Sequence, residues 1–362
     1  MRAPSLQLAV ASLLLLVSAC AVPSSAEDAS ATEDSALVAH KNPMMSTPCA
    51  DPGVLHEGGK YYVTCTGVDA HGAYPIFASD DLIDAADWHH VGSIFPRDGQ
   101  GQVPHPWASQ QFWAPEIHHV GGRYLAVYAA TGPSGKMDVG IAQAMAPTGP
   151  FTADPEPIVH SGVGMIDPHI FRDPRHGKTY LYWKRDQDWQ DTSIYVRELD
   201  VAHLHGQPVG FAAHSHRKAI FDFGAGWEHK LVEAPWIVYR DGWYYLFYSG
   251  GLFCDASYGV GVARSRSPVE TFERISAGEN AGRVLESGSH WQGPGHVSVV
   301  DGPGGDWLVY HAYPIIGGKA PHCGDPDAAQ HPHDGDDHSP PREVRVDPIV
   351  WNNGLPHVHA KL

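Results

Sequence analysis

The sequence predicts an all-β chain folded as a five-bladed β-propeller, and three observations predict it. Five segments repeat one pattern, a glycine turn followed by an aromatic-rich run: GKYYVTCT from Gly59, GRYLAVYA from Gly122, GKTYLYWK from Gly177, GWYYLFYS from Gly242 and GDWLVYHA from Gly305. Their glycines are 63, 55, 65 and 63 residues apart, room for about four strands each. After residue 40 no apolar pattern of helical period is sustained, whereas β-branched and aromatic runs bounded by Gly, Pro and Asp recur throughout. With 39 Gly and 30 Pro, the 362-residue chain is rich in turns.

A further run follows the aromatic one in most repeats. The stretch from Val139 to Phe151 resembles that from Gly259 to Phe272, and Ile76 to Ser79 is a shorter version. Two stacked β-sandwiches would leave this fivefold recurrence unexplained. Residues 41–362 are therefore expected to form one propeller with no second domain.

The N-terminal segment reads differently. Arg2 precedes an apolar run from Leu6 to Val17, too short for a membrane span, which ends in Val17-Ser-Ala-Cys20. Residues 1–19 are read as an export signal of lipoprotein type, with Cys20 as the lipid-bearing residue. The alternative is an ordinary signal peptide that happens to carry a cysteine. Residues 20–40 are small and polar and are expected to be a flexible tether. The protein is thus expected outside the cytoplasm, anchored to a membrane only through Cys20, in the periplasm or on the cell surface, or otherwise secreted, and to act as a monomer. In an oxidising compartment the remaining cysteines allow three pairings, of which Cys49–Cys65 with Cys254–Cys323 is favoured by proximity. A formal net charge of −17 excludes nucleic acid as a natural partner.

In a propeller the first strand of each blade lines a shared axis, so equivalent positions converge. Counting back from each glycine turn finds Asp51, Trp113, Asp167, Glu233 and His296, at 8, 9, 10, 9 and 9 residues before it. Three acids on one axis repel each other and lose hydration, a cost that a working site explains better than a structural one. Paired carboxylates suit glycoside hydrolysis. One protonated acid serves the leaving oxygen, the other activates water or attacks, and a third raises the donor's pKa. A non-catalytic glycan-binding propeller is the rival reading. It would keep the aromatic pocket and could dispense with an acid.

These motifs resemble glycoside hydrolase family 43. The matching stretches are Cys49-Ala-Asp51-Pro, FWAPEI from Phe112, Ile166-Asp167-Pro, Glu233-Ala-Pro, GPGH from Gly293 to His296, WLVYH from Trp307 and REVRVDPIVW from Arg342, together spanning residues 43 to 357. The resemblance implies an inverting hydrolase of arabinose- or xylose-containing polysaccharides. Asp51 is then the general base, Glu233 the general acid, and Asp167 the residue that orients the acid and tunes it. It implies a channel metal ion, commonly calcium, at His296. Arg342 is expected to hydrogen-bond the sugar and Trp113 to form an apolar wall, with packing as the alternative for both. α-L-Arabinofuranosyl linkages are the first expectation, with β-xylosyl and β-galactosyl open. Cys49-Ala50 stand where the family usually has an aromatic or a small residue, and a disulfide at Cys49 would pin the loop carrying Asp51.

Other features are set aside. Arg172-Asp173-Pro174 imitates a motif of invertase-like propellers, but falls where a hairpin turn is expected. Glu116 lies three residues past the counted position and is expected to be a hydrogen-bonding partner near the site. The His- and Asp-rich stretch from His322 to His338 is read as a solvated loop overhanging the channel, with a metal site as the alternative. Lys60, Lys136 and the other scattered basic residues form no stripe.

Overall fold

A computed structural model describes residues 1, 39–187, 192–204, 206–319 and 342–360. The expected signal, Cys20, the tether up to residue 38, Cys323 and the stretch from His322 to His338 lie outside the described residues. Among the described residues no helix is long and apolar enough to cross a membrane.

The predicted propeller is observed, as five antiparallel sheets in chain order. Blade one holds β1 (Gly53–Glu57), β2 (Lys60–Thr64), β3 (Gly72–Ser79) and β4 (His89–Pro96). Blade two holds β5 (Trp113–Val120), β6 (Arg123–Thr131), β7 (Met137–Ala144) and β8 (Thr152–Ala153). In blade three, β9 (Gly164–Arg172), β10 (Thr179–Asp186) and β11 (Ile194–Asp200) are edged by two short strands, β12 (Gly210–Phe211) and β13 (Lys218–Phe221). Blade four repeats that plan with β14 (Val232–Arg240), β15 (Trp243–Gly250) and β16 (Gly259–Ser265), edged by β17 (Glu273–Arg274) and β18 (Arg283–Leu285). Blade five holds β19 (Trp291–Gly302), β20 (Gly305–Pro314), β21 (Glu343–Asn352) and β22 (Leu355–Val358). The first strands touch in sequence, β1 to β5, β9, β14 and β19, and β19 returns to β1, which closes the ring.

The aromatic runs become the second strands, and their alternating faces are buried on both sides. Five apolar clusters form the bulk of the core, each lying between two adjacent blades. Sheet packs on sheet, as in a sandwich, but around a circle. At the seam between blades five and one, Met44, Met45 and the Cys49–Cys65 disulfide join the cluster. That disulfide is the expected one. Cys254 is also disulfide-bonded, and its expected partner is among the residues not described. His40, the last position of the expected tether, is docked, with its Nε2 2.9 Å from Asp347 Oδ1.

The shared axial position needs a correction. The residues that occupy one conformation at the start of each first strand are Asp51, Ala114, Asp167, Ala234 and His296, with φ of 52°, 49°, 54°, 50° and 51°. Trp113 and Glu233 stand one residue earlier. The hairpin of blade three is longer, and Gly305 stands just past the two-residue turn of blade five whereas Gly59, Gly122 and Gly242 close theirs, so counting back from glycine slips by a residue. The proline that follows four of the five left-handed residues (Pro52, Pro115, Pro168 and Pro235) was the better marker. Register breaks in β5, β9, β14 and β19 fall at this point and let consecutive side chains reach the axis.

Candidate active site

A left-handed backbone at a non-glycine residue persists only where its surroundings enforce it. Here the enforcement comes from the preceding blade. Ala114 N–H donates to Thr66 Oγ1 at 2.8 Å, Ala234 N–H to Asp167 Oδ2 at 2.9 Å, His296 N–H to Ser249 Oγ at 2.7 Å and Asp51 N–H to His311 Nδ1 at 3.1 Å. In four of the five blades the repeat thus ties the left-handed residue to its neighbour.

The result is a cavity of about 320 Å³ at one end of the axis. Asp51, Trp113, Asp167, Glu233, His296 and Arg342, all the residues singled out in the sequence, line it. Lys184, Asp186, Tyr258, Gln111 and Phe253 line it too and were not foreseen.

The three acids have different surroundings. Asp51 Oδ1 accepts from Arg342 Nη1 at 2.9 Å and lies 3.4 Å from His296 Nδ1, while Oδ2 accepts from Thr66 Oγ1 at 2.5 Å. Burial alone would raise its pKa, but Arg342 above all, with His296 and His311, outweighs burial and holds the carboxyl well below its usual range. Arg342 is therefore first a partner of Asp51, whatever it offers a sugar. Asp167 moves the opposite way. Burial raises it to about 7, reinforced by the Glu233 and Asp51 charges and opposed by His296 and Lys184. Glu233 Oε1 accepts from Tyr258 Oη at 2.7 Å and Oε2 from Lys184 Nζ at 2.8 Å. The pocket thus holds one carboxylate kept ionised and one acid that retains its proton near neutrality.

Glu116 lies one layer deeper. Its Oε2 is 2.7 Å from His118 Nε2 and 2.9 Å from His169 Nδ1. Among the described residues, these three are the one grouping of His, Cys, Asp and Glu atoms close enough to share an ion. Ile237 N–H donates to His169 Nε2 at 3.1 Å, so the ring proton sits on Nδ1 and points at Glu116. That is a closed hydrogen-bond node, the secondary role expected of Glu116. The described side chains of the channel do not by themselves form a cage of the roughly six to eight oxygens that calcium takes. His296 is outside that grouping, and it faces a carboxylate already held by Arg342 and Thr66.

Of the unforeseen residues, Lys184 had a signal. It ends the third of the five aligned runs, where the others end in Thr66, Ala129, Ser249 and Ala312. In the aligned sequences a lysine thus stands where the other runs end in small residues, an anomaly of the kind that marks function, although the structural equivalent in blade five is His311. Tyr258 had none, because it lies in a connection whose folding the repeat does not describe.

Comparison with known proteins agrees with the geometry. The chain is 28% identical over 314 residues to xylosidase/arabinosidase 43A of Humicola insolens, covering 72% of this chain and 87% of that one. It is 27% identical over 283 residues to the extracellular endo-α-(1→5)-L-arabinanase 1 of Bacillus subtilis strain 168, covering 73% and 79%. Among solved structures, a thermostable family-43 glycoside hydrolase superposes with a TM-score of 0.71 at 23% identity, over 89% of this chain and 96% of that one, a likeness of fold. The family model for glycosyl hydrolases family 43 matches residues 40–356, from the first docked residue to the last strand, and a match of that length establishes that the chain belongs to this family of glycoside hydrolases.

Proposed function

We propose that the protein hydrolyses arabinan- or arabinoxylan-type saccharides with inversion, and that α-L-arabinofuranosyl linkages are its preferred target. The observation that carries the reading is the contrast within one pocket between Asp51, held ionised by Arg342, and Asp167, which keeps its proton near neutrality. Asp51 is suited to take a proton from water as it attacks the anomeric carbon. Glu233, beside Asp167, is suited to hand a proton to the leaving oxygen. Trp113 supplies an apolar wall at the partly buried pocket edge. The relatives' names, xylosidase/arabinosidase and endo-arabinanase, support the sugar class. No step is assigned to a metal ion.

The test is an assay of wild type and Glu233→Ala on aryl glycosides and on branched and debranched arabinan. The expected result is sugar release by wild type and a fall of about 10²- to 10⁴-fold in the variant on unactivated linkages. The first-formed anomer, followed by NMR, should be inverted. Retention sinks the mechanism, and glycan binding without turnover by either protein returns the binding-module reading. The same proposal places the protein outside the cytoplasm on a lipid at Cys20. Incorporation of labelled fatty acid into wild type, and its loss in Cys20→Ala, tests that part.

A further inference from the structure

One residue in or just past each second strand stands beside the residue that precedes the left-handed position: Thr66, Ala129, Lys184, Ser249 and His311. Thr66, Ser249 and His311 accept the N–H of the next blade's left-handed residue. Lys184 cannot, since an ammonium has three donors and no acceptor. In blade three Asp167 Oδ2 takes over that task and accepts the Ala234 N–H. The rule that three blades follow is broken at Ala129, which has no acceptor, and at Lys184, where the break places a buried cation in the pocket. Its side chain is 2% exposed, with Nζ 2.8 Å from Glu233 Oε2 and 3.1 Å from Asp186 Oδ1.

Two donors thus occupy the two oxygens of Glu233. A general acid must present one of those oxygens, protonated, to the leaving group. Lys184 can only donate, and a hydroxyl oxygen accepts far more weakly than a carboxylate oxygen, so its hold on Glu233 Oε2 loosens when that oxygen carries a proton. Tyr258, on the other oxygen, is wedged. A Cβ on Gly295 would lie 2.0 Å from its ring, and the His311 ring stacks 5.9 Å away. Lys184 is the donor that has somewhere to go. Asp186, 38% exposed at the pocket, is already within reach of its ammonium. A move from Glu233 to Asp186 leaves no buried cation stranded.

We propose that Lys184 gates proton delivery by Glu233, pairing with it in the free enzyme and passing to Asp186 when the leaving oxygen of the sugar reaches Glu233 Oε2. The inference rests on Glu233 being the acid. The proton that Glu233 then carries comes from Asp167, which becomes the carboxylate; one O–H bond breaks, one forms, and no charge is lost. Burial raises Asp167 to about 7, which suits it to store that proton. The titratable groups lining the pocket with the pair are Asp51, Lys136, Asp167, Asp186, Tyr258, His296 and Arg342. Lys184 is a positioning residue in this scheme, because it acts through Glu233.

The experiment is the pH dependence of kcat/KM, which reports the free enzyme, and of kcat, which reports the complex. It uses the full-length enzyme and a cleaved aryl glycoside with a poor leaving group. Lys184→Met should move the alkaline limb of kcat/KM up by about one pH unit or more and leave that of kcat nearly in place. Asp186→Asn, a milder change at a part-exposed site, keeps Lys184 on Glu233 in the complex. It should move the alkaline limb of kcat down and leave that of kcat/KM in place, and it tests the gate even if Lys184→Met does not fold. Equal movement of both limbs, or none, in the variants that fold overturns the gate. Glu233→Ala on a dinitrophenyl glycoside, whose leaving group needs no proton, separates the two readings. Turnover without an alkaline limb upholds Glu233 as the acid, so a failure of the gate is then its own. An alkaline limb that persists in Glu233→Ala removes the acid assignment and the gate with it.

Discussion

At the scale of single residues, the pocket sets two carboxyls against each other, and the cost of doing so is measurable. Asp167 binds its proton more tightly in the folded protein than in an unfolded chain, because burial raises it to about 7. Its folded pKa lies above the unfolded one, so it destabilises the fold when ionised. That cost is absent below the ordinary carboxylate range, grows as pH rises, and is complete above about 7. Asp51 behaves oppositely, and its stabilisation is lost only in strong acid. Asp167→Asn keeps an acceptor for the Ala234 N–H and removes the charge. In thermal or urea unfolding it should be more stable than wild type at pH 8, by of order 1–4 kcal/mol, with the gap closing toward pH 4. The same variant should lose most of its activity. A gap that does not change with pH would mean that Asp167 is not strained by its charge.

At the scale of strands, blades two and four solve the same packing problem with the same pair. Tyr128 of β6 faces Gly140 of β7, and Tyr248 of β15 faces Gly261 of β16. A Cβ on Gly140 or Gly261 would lie 2.4 or 2.3 Å from the tyrosine ring. The Tyr248 ring cannot swing away, because its hydroxyl donates to buried Glu228 Oε1 at 2.8 Å. Gly261→Ala should therefore cost about 1–3 kcal/mol in chemical denaturation and leave the pocket intact. This pairing was visible in the sequence as two similar runs, without its reason. The strands and their order could be read from periodic glycine turns because local chemistry writes them. The registration of the axis could not. A longer hairpin separates Pro168 from Gly177, and Gly305 lies one residue past its turn, so a count from glycine misplaced Trp113 and Glu233 by one. The three acids were still found, because a bulged strand sends adjacent side chains to the same cavity. Lys184, Tyr258 and His311 act through contacts between blades, which no single repeat encodes.

At the scale of the molecule, the described strands of every blade follow one another along the chain, and among the described residues no strand is shared across the seam between blades five and one. Other groups hold it. Asn42 Nδ2 donates to Val346 O at 3.1 Å and Asn42 Oδ1 accepts from Val346 N–H at 2.8 Å, a side chain acting as one rung of a ladder. Met44 N–H donates to Val344 O, and Cys49 N–H to Arg342 O. Asn42→Ala leaves the Val346 groups without their partner and should cost about 1–3 kcal/mol, read as a lowered melting temperature. The active site straddles this seam. Asp51 belongs to blade one, while Arg342 and His311, which hold it, belong to blade five. Warming that only parts the two blades already separates Asp51 from its clamp, while the other four interfaces stay packed. The working life of the catalyst at elevated temperature is therefore governed by one joint out of five, and inactivation should run ahead of the collapse of β-structure.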